Sequence, residues 1–347
     1  MNQTKIGNIF ALSSNISENT YDLAPVPKTD NILDYYRSNG AATWGDSIFH
    51  YCSLDTCRNI IEHKKLRFSD VRFLNDTTEF QEVVRLVKIV LKEYRKNLGK
   101  ELYQYLSDKE LLTNLENYHQ NYSRHLLRKQ KGDVKDSDIK YSVYTCSFSM
   151  NQDLLSMWNY YADNAGGVNI RFSNADFLFI PKGIEDRINF LTGKVWYQEE
   201  EKKKCIVALL DDIKNLHNEF GDDIDHEQKK RLIQRPFANA INNMRIFMKD
   251  ENFYMEEEYR IAMIIDRQLL ADKPMPNHYV AGHFRRGNVF IPYIDVPFQS
   301  ERMEHIKVAP TLKNEFPMIK LGLEDLLFQN NLANIDISYS EIPMRKY

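Results

Sequence analysis

The stretch YSVYTCSFSMNQDLLSMWNYYADNAGGVNIRF, residues 141–172, decides the fold class of this chain. YSVYTCSFS (141–149) has the β-branched and aromatic composition of a strand, DLLSMWNYYADNA predicts a helix, and GGVNIRF predicts the following strand. Gly166 and Gly167 are expected to stop the helix, since glycine commonly follows a helix C-terminus. Strand and helix therefore alternate once here within a single short segment.

Other strands are predicted on both sides of this segment. They are SIFHYCS (47–53), LRFSD (66–70), KVWYQ (194–198), EEEYRIAMIID (256–266), GNVFIPYIDVPF (287–298) and HIKVAP (305–310). Helical spacing predicts a helix over 53–65, helical insertions at about 78–138 and 199–249, and a late helix in FPMIKLGLEDLLFQNN. Strands and helices do not alternate regularly enough for a doubly wound sheet, so the sequence predicts an α+β fold.

The chain of 347 residues is long enough for one large domain or two modest ones. Residues 1–45 are rich in Ser, Asn, Asp and Pro without a sustained period, which favours an N-terminal arm or leader. Because helical insertions lengthen a domain without adding a second core, residues 46–347 are interpreted as a single domain.

Composition excludes several classes of protein. The formal net charge of −3 excludes binding of nucleic acid by overall positive charge, and 13 glycines argue against nucleotide sites built on glycine-rich loops. The four cysteines form no CxxC pair, so no zinc knuckle is expected, and no other ligand set has the spacing of a metal site. With no signal peptide and no apolar run of about 20 residues, we expect a cytoplasmic chain without a membrane partner.

FHYCS places His50 on a strand, beside Tyr51 and just before Ser53. An imidazole can hold a ligand hydroxyl through one nitrogen while the other is anchored. A structural histidine bonded to a backbone carbonyl is the alternative interpretation.

LRFSDVRFLNDTTEF sets Ser69, Asn75, Asp76 and Glu79 among aromatic and aliphatic residues. Asn-Asp is typical of turns, and Asp76 is a candidate cap for the following helix. That local role does not exclude contacts from this loop to a ligand.

TCSFSMNQDLLSMWNYYADNAGG brings together Ser147, Ser149, Trp158, Tyr160 and Tyr161. Aromatic side chains with polar tips suit a wall that stacks on a heteroaromatic ring. The helical spacing of the aromatic residues fits a packed core equally well.

In YMEEEYR, the strand period places Glu256, Glu258 and Arg260 on one face. One carboxylate held by an arginine and a second acid can place negative charge opposite a developing cation. A solvated strand start is the alternative.

In their order, FHYCS, LRFSD…FLND..E, CSFS…D.LSMWNYYADNAGGVNIRF and Y.EEEYR resemble a bacterial family of unknown function. Its members carry FHYTS-like, FSDPxxFNDPxE-like, CFSxxxDxxxMWxxYA-like and ExExR-like blocks over a stretch corresponding to about residues 47–310. Val71 and Thr77 stand where that family often has proline. The family in turn resembles a divergent branch of the ADP-ribosyltransferase fold.

The resemblance implies a mixed or antiparallel split sheet with two long helical insertions, NAD as substrate and no metal. It implies that Glu258 is the catalytic carboxylate, supported by Arg260, with Glu256 as the alternate candidate for that role. It also implies that His50 contacts the NAD ribose. The NAD-binding residues that it implies are His50, Tyr51, Ser53, Ser69, Asn75, Ser147, Ser149, Trp158, Tyr160 and Tyr161.

The implied reaction cleaves the nicotinamide–ribose bond and transfers ADP-ribose to nucleic acid or protein, as in a bacterial toxin or anti-phage effector with an antitoxin or regulatory partner. SRHLLRKQKGDVK (123–135), Lys229-Lys230 and Arg285-Arg286 are candidate contacts to a phosphate backbone. One alternative is a non-catalytic module that binds a nucleotide or a partner. Another is a magnesium nuclease using Asp76, Glu79, Glu256 and Glu258.

Overall fold

In the computed structural model of this chain, the described residues are 47–74, 82–117, 141–173, 178, 187–221, 224–271, 275, 279–332 and 334–344. The predicted arm at 1–45, the basic segment 123–135, and Asn75, Asp76 and Glu79 lie outside the described residues. The same holds for parts of the first predicted insertion.

The described strands form one mixed sheet, as expected of an α+β chain. They are β1 Ile48–Cys52, β2 Lys65–Asp70, β3 Tyr141–Ser149, β4 Val168–Phe172, β5 Ile188–Lys194, β6 Glu258–Asp266, β7 Val280–Arg286, β8 Val289–Pro297, β9 Met303–Val308 and β10 Asp336–Tyr339. Among these strands, β9 and β10 pair in parallel and the other neighbours pair antiparallel.

The α-helices fall between these strands and cover both faces of the sheet. They are α1 Leu54–His63, α2 Glu82–Glu93, α3 Arg95–Leu98, α4 Lys100–Leu106, α5 Lys109–Glu116, α6 Leu155–Tyr161, α7 Glu199–Asn218, α8 His226–Met244, α9 Arg267–Ala271 and α10 Phe316–Gln329. Short 3₁₀ turns lie at Val71–Phe73, Arg245–Phe247, Glu251–Glu256, Ser300–Arg302 and Pro310–Leu312.

Two groups of strands separate along one edge of β3. On its other edge β3 pairs with β6 over its whole length, and β6 pairs with β5. β1 meets β3 only at the pair Phe49–Ser149, and β2 meets it only at Ser69–Thr145 and Asp70–Tyr144. The β1–β4–β9–β10 group and the β2–β8–β7 group therefore leave β3 at different points, with Ser147 between them.

Side chains alternate between the two faces of the sheet, and each face has its own core. We call the face of Ser147, Ser149 and Glu258 the front face, and the face of Cys146 and Phe148 the back face. Helices α2 to α5, α7 and α8 pack on one end of the front face against Tyr141, Val143, Leu191, Ala262 and Ile264. Helices α1 and α10 pack on the back face.

The helix after β3 ends earlier than the two glycines predict. Helix α6 stops at Tyr161, and the residues with left-handed backbone are Asp163, Asn164 and Ala165, at φ 52°, 50° and 59°. Gly167 serves packing instead, because a Cβ there would overlap the carbonyl oxygen of Cys52 and lie 3.0 Å from that of Ala162. Glycine therefore lets β4 start close against β1.

The predicted strand KVWYQ (194–198) is wrong in position. The strand is Ile188–Lys194, and it ends where the predicted one begins. Beyond it, Trp196 makes one isolated bridge to Met248, and its side chain packs in the core of the helical insertion. The apolar residues of KVWYQ are buried by helices and not by a sheet ladder, which explains the misplaced prediction.

Candidate functional site

Glu258 is the first residue of β6 and lies in a buried group of charges on the front face. Its carboxylate accepts two hydrogen bonds from Arg260, Nε to Oε1 and Nη2 to Oε2, each 2.9 Å long. Lys249 Nζ lies 3.3 Å from Oε2. Glu258 is 3% exposed and Arg260 is 1% exposed, so this ion pair is shielded from water.

The surroundings of Glu258 keep its carboxylate ionised. Burial by itself would raise the pKa, but the positive charges of Arg260 and Lys249, with hydrogen bonds from Arg260 and Ser147, lower the pKa to about 2. Lys249 is affected in the opposite sense, since the charges of Glu258 and Glu256 outweigh its burial and raise its pKa. The site therefore holds fixed charges at neutral pH.

Glu256 joins the same group from a different backbone conformation. The prediction that Glu256 shares a strand face with Glu258 is wrong, because Glu256 ends a 3₁₀ turn and Glu257 adopts φ 44° before β6 begins. Its carboxylate nevertheless accepts hydrogen bonds from Lys249 Nζ at 2.6 Å and from the Tyr161 hydroxyl at 2.8 Å. Lys249 thus bridges two acids that the turn brings together.

Ser147 and Ser149 lie on β3, directly opposite Arg260 and Glu258. Ser149 is fully buried and donates to the carbonyl oxygen of Glu256 at 2.9 Å, which fixes the turn before β6. Ser147 is exposed, and its side chain helps to lower the pKa of the Glu258 carboxylate. Ser147 is therefore the exposed group through which the buried acid can be reached.

His50 occupies the opening between the two strand groups. Its Nδ1 lies 3.1 Å from the carbonyl oxygen of Ser147, and its ring tilts against Phe148 at 5.4 Å between centroids. Burial lowers the pKa of the imidazole, so it is neutral at pH 7. Strand alternation places His50 on the back face, so it and Glu258 leave the sheet on opposite sides, with Ser147 touching both.

Trp158 and Tyr51 form a rigid support beneath the site. Trp158 is fully buried, its Nε1 donates to Asp153 at 2.7 Å, and its ring meets Tyr51 edge-on at 4.9 Å. The Tyr51 hydroxyl donates to the carbonyl of Asn151 and accepts from the amide of Leu154, both at 3.0 Å. These bonds fix the loop and helix that carry Tyr161.

The other predicted site residues lie farther from this group of charges. Tyr160 is 80% exposed on α6. Ser53 caps α1 by accepting from the amide of Thr56, and Ser69 lies half-buried on β2 opposite Thr145. Asn75 lies outside the described residues.

Sequence reasoning missed Lys249 and Tyr197. Lys249 is buried, and the Tyr197 hydroxyl accepts a hydrogen bond from the amide of Glu258 at 3.0 Å. Neither lies in a sequence pattern that indicates this role, since Lys249 follows the helical insertion and Tyr197 lies in the segment between β5 and α7. A lysine between the apolar stretch RIFM and an acidic one was the available signal for Lys249.

The described residues contain no group of three or more His, Cys, Asp or Glu placed to hold a metal ion. They also contain no helix long and apolar enough to cross a membrane.

A family model described as "Protein of unknown function (DUF2971)" matches residues 157–261. The chain is thus similar to a family of unknown function over the stretch from α6 to the middle of β6. This stretch contains Trp158, Tyr161, Glu256, Glu258 and Arg260, and it ends before β7. No curated protein and no solved structure matches the chain.

Proposed function

We propose that this chain is an ADP-ribosyltransferase that cleaves the nicotinamide–ribose bond of NAD and transfers ADP-ribose to a macromolecular acceptor. The observation that carries the proposal is the ionised carboxylate of Glu258, held by Arg260 and Lys249 and reached through exposed Ser147. It lies beside the opening in the sheet where His50 stands. The resemblance to the ADP-ribosyltransferase fold supplies the reaction.

The charge of Glu258 suits the bond that breaks. Loss of nicotinamide leaves positive charge on the ribose, as in the oxocarbenium-like transition state of glycoside hydrolysis. A carboxylate whose pKa is about 2 stays negative at every physiological pH, and a preorganised charge costs no reorganisation during the reaction. Glu258 would stabilise that cation and accept a hydrogen bond from the ribose 2′-hydroxyl.

The hydrogen bonds of Glu258 indicate where the ribose hydroxyl would enter. A carboxylate offers about four acceptor positions. Arg260 takes two and Lys249 one, and the side chain of Ser147 also lowers the pKa of Glu258. Because Ser147 is exposed while the two cations are buried, a ribose hydroxyl would replace the Ser147 hydroxyl.

The remaining side chains suit the nicotinamide end of NAD. Bound NAD would supply the ribosyl group and the leaving nicotinamide. His50 Nε2 has no hydrogen-bond partner among the described residues, but the imidazole leaves the sheet on the face opposite Glu258, so it would meet NAD only through the opening between the two strand groups. Tyr161 presents an aromatic ring held in place by Glu256, and no glycine-rich phosphate loop is required.

The decisive experiment incubates the protein with NAD labelled on the adenylate. We expect nicotinamide release and label transfer to cell extract with the wild type, and loss of at least about a hundredfold in Glu258→Gln. Glu257→Gln is the matched control, because it removes an exposed neighbouring acid that makes no contact with Arg260. Unchanged activity in Glu258→Gln would refute the assignment.

Ser147→Ala gives a second test that avoids breaking the buried ion pair. It removes the hydroxyl that a ribose would replace, so we expect a changed KM for NAD with a smaller change in kcat. Thermal unfolding of each variant shows whether a loss of activity is a loss of folded protein. A KM for NAD that Ser147→Ala leaves unchanged would contradict entry of the ribose at this position.

Burial of Glu258 favours a second candidate function, a non-catalytic module that binds a nucleotide or partner. In that case Glu258 and Arg260 would be a structural ion pair. NAD would then bind without nicotinamide release, and a calorimetric titration with NAD separates the two functions.

The third alternative, a magnesium nuclease, predicts metal-dependent cleavage of nucleic acid without NAD.

As a cytoplasmic toxin or anti-phage effector, the active chain would harm its own cell unless a partner restrains it. Expression of the wild type in bacteria should therefore arrest growth, whereas Glu258→Gln should not. Growth arrest by both proteins would point to a toxic effect independent of this site.

A further inference from the structure

Strands β2, β7 and β8 carry an arrangement of arginine and aromatic side chains that the catalytic proposal leaves unused. The Arg67 guanidinium carbon lies 3.7 Å from the centre of the Tyr293 ring, and Tyr293 lies 6.0 Å from Phe284. Asp295 holds Arg67 in this position through two hydrogen bonds of 2.9 and 3.1 Å. We call Arg67, Tyr293 and Phe284 the stacking platform.

The Tyr293 ring occupies the space over a glycine on the edge strand. Its register partner on β7 is Gly282, where a Cβ would lie only 2.7 Å from the Tyr293 hydroxyl. The tyrosine ring therefore leans over a glycine on the front face. Both aromatic rings are half-buried and Arg67 is exposed, so the guanidinium plane stacked on Tyr293 is the surface that a flat ligand would meet.

Two further arginines lie on the same hairpin: Arg286, two residues after Phe284, shares the front face with the platform, and Arg285 lies on the back face. Arg285 donates to the carbonyl of Gly287, and Arg286 donates to the carbonyl of Phe73, both at 2.7 Å. In the described part of the chain, neither guanidinium pairs with a carboxylate. Both are exposed, so the hairpin carries positive charge that no acid of the described residues neutralises.

The platform and the proposed catalytic site lie on the same face of the sheet. The register pairs Arg260 with Ser147, Thr145 with Ser69, and Ser69 with Tyr293. Directly opposed residues share a face, and so do residues two apart on a strand. Tyr293 is therefore three strands away from Glu258 and about four residues along β3, roughly 20 Å at about 4.8 Å per strand and about 3.3 Å per residue.

We propose that the stacking platform binds a single strand of nucleic acid beside the catalytic site. Unpaired bases stack on aromatic rings and guanidinium planes, and their phosphates pair with exposed arginines, which is the combination that the hairpin offers. Resting on the function proposed above, this strand is the acceptor of ADP-ribose. Transfer joins a nucleophilic atom of the strand to ribose C1, breaks the C1–nicotinamide bond with its electron pair leaving on neutral nicotinamide, and releases the nucleophile's proton to solvent.

Fluorescence anisotropy with labelled oligonucleotides tests binding without NAD. We expect single-stranded DNA or RNA to bind more tightly than duplex. Comparing the DNA strand with the RNA strand shows whether deoxyribose or ribose is preferred. Tyr293→Leu removes the central ring and should weaken binding roughly tenfold. Tyr103→Leu is the matched control, since it removes another arginine–tyrosine stack, with Arg95 at 4.8 Å, in the helical insertion.

Charge is tested separately from stacking. The double variant Arg285→Gln/Arg286→Gln should bind less tightly and show a shallower dependence of log affinity on log salt, by roughly 0.7 for each phosphate that the two arginines no longer neutralise. Lys96→Gln/Lys100→Gln changes the net charge equally at exposed positions elsewhere and should leave the salt dependence unchanged.

The outcomes separate this inference from the proposed activity. Tyr293→Phe keeps an aromatic ring and should retain binding, which guards against loss of fold in Tyr293→Leu. Absence of binding at about 100 mM salt, a preference for duplex, or equal losses in the two control variants would overturn the platform as a nucleic-acid site. Nicotinamide release by the wild type would still stand in each of those cases.

Discussion

At the scale of single residues, Lys249 is the cation that two buried acids share. Replacing it with methionine would leave Arg260 to pair with Glu258, whereas buried Glu256 would keep only the hydrogen bond from Tyr161 and would lose its positively charged partner. Breaking a buried ion pair from one side costs about 3–5 kcal/mol. We expect Lys249→Met to lower the free energy of unfolding by that amount in urea titrations.

Lys204→Met provides the comparison for this prediction. Lys204 is exposed on α7, and surface substitutions change the unfolding free energy by about 0.5 kcal/mol or less. The double variant Lys249→Met/Glu256→Gln should recover part of the lost stability, because it removes the unpaired charge. Equal stability of Lys249→Met and the wild type would mean that the buried charges do not depend on this lysine.

Glu258 also gives a prediction about acid stability. Its pKa is about 2 in the folded chain and 4.5 without the fold, so the stabilisation is fully present above pH 4.5 and is lost as the pH falls toward 2. The unfolding free energy of the wild type should therefore fall across this window. Glu258→Gln should show a smaller fall, whereas Glu257→Gln should follow the wild type. Parallel pH profiles of Glu258→Gln and the wild type would contradict the lowered pKa.

At the scale of elements, Gly167 controls how closely β4 approaches β1. A methyl group there would overlap the carbonyl of Cys52, and neither strand can move without breaking their shared ladder. Overpacking of this kind costs about 1–3 kcal/mol. We expect Gly167→Ala to lower the melting temperature.

Gly322 in α10 is the matched control, because alanine there is expected to change the melting temperature in the opposite direction. A Cβ at Gly322 meets no atom within 4 Å. Alanine in an exposed helix interior is favoured over glycine by about 0.5–1 kcal/mol. Gly322→Ala should therefore raise the melting temperature, and a fall in both variants would indicate that glycine replacement is harmful for reasons other than contact.

Elements with a local signal were predictable, and elements defined by distant partners were not. Ser53 caps α1 as predicted, and YSVYTCSFS is a strand over its full length. β10 was not predicted, since its four residues take their strand conformation by pairing in parallel with β9. Local periodicity carries no information about such a pairing.

The same distinction applies to the candidate site. Glu258 and Arg260 are two residues apart on one strand, so their common face follows from the strand period. The position of Glu256 could not be predicted from the strand period, because Glu257 takes a left-handed conformation that the strand pattern does not reveal. Lys249 and Tyr161 reach Glu256 only through the packing of α6 and the helical insertion against the sheet.

At the scale of the whole molecule, β3 and β6 connect the cores. Val143 and Ile264 belong to the core of the helical insertion on the front face, whereas Phe148 and Ile261 belong to the core on the back face. Each strand thus contributes to both, so one core cannot unfold without removing part of the other. The prediction of a single domain at 46–347 leads us to expect one cooperative transition of the sheet and its helices.

Tryptophan fluorescence can test this cooperativity. Trp196 lies in the core of the helical insertion, and Trp158 lies in a separate small apolar cluster between α6 and β1, with Phe49 and Met157. Trp44 lies outside the described residues, and it is replaced by phenylalanine in both of the single-tryptophan variants used for this test. Variants that keep only Trp158 or only Trp196 should unfold in urea at the midpoint that circular dichroism gives for the same variant. If fluorescence of the Trp196 variant changes at a lower urea concentration than its circular dichroism, the helical insertion unfolds as a separate unit and the single-domain prediction fails.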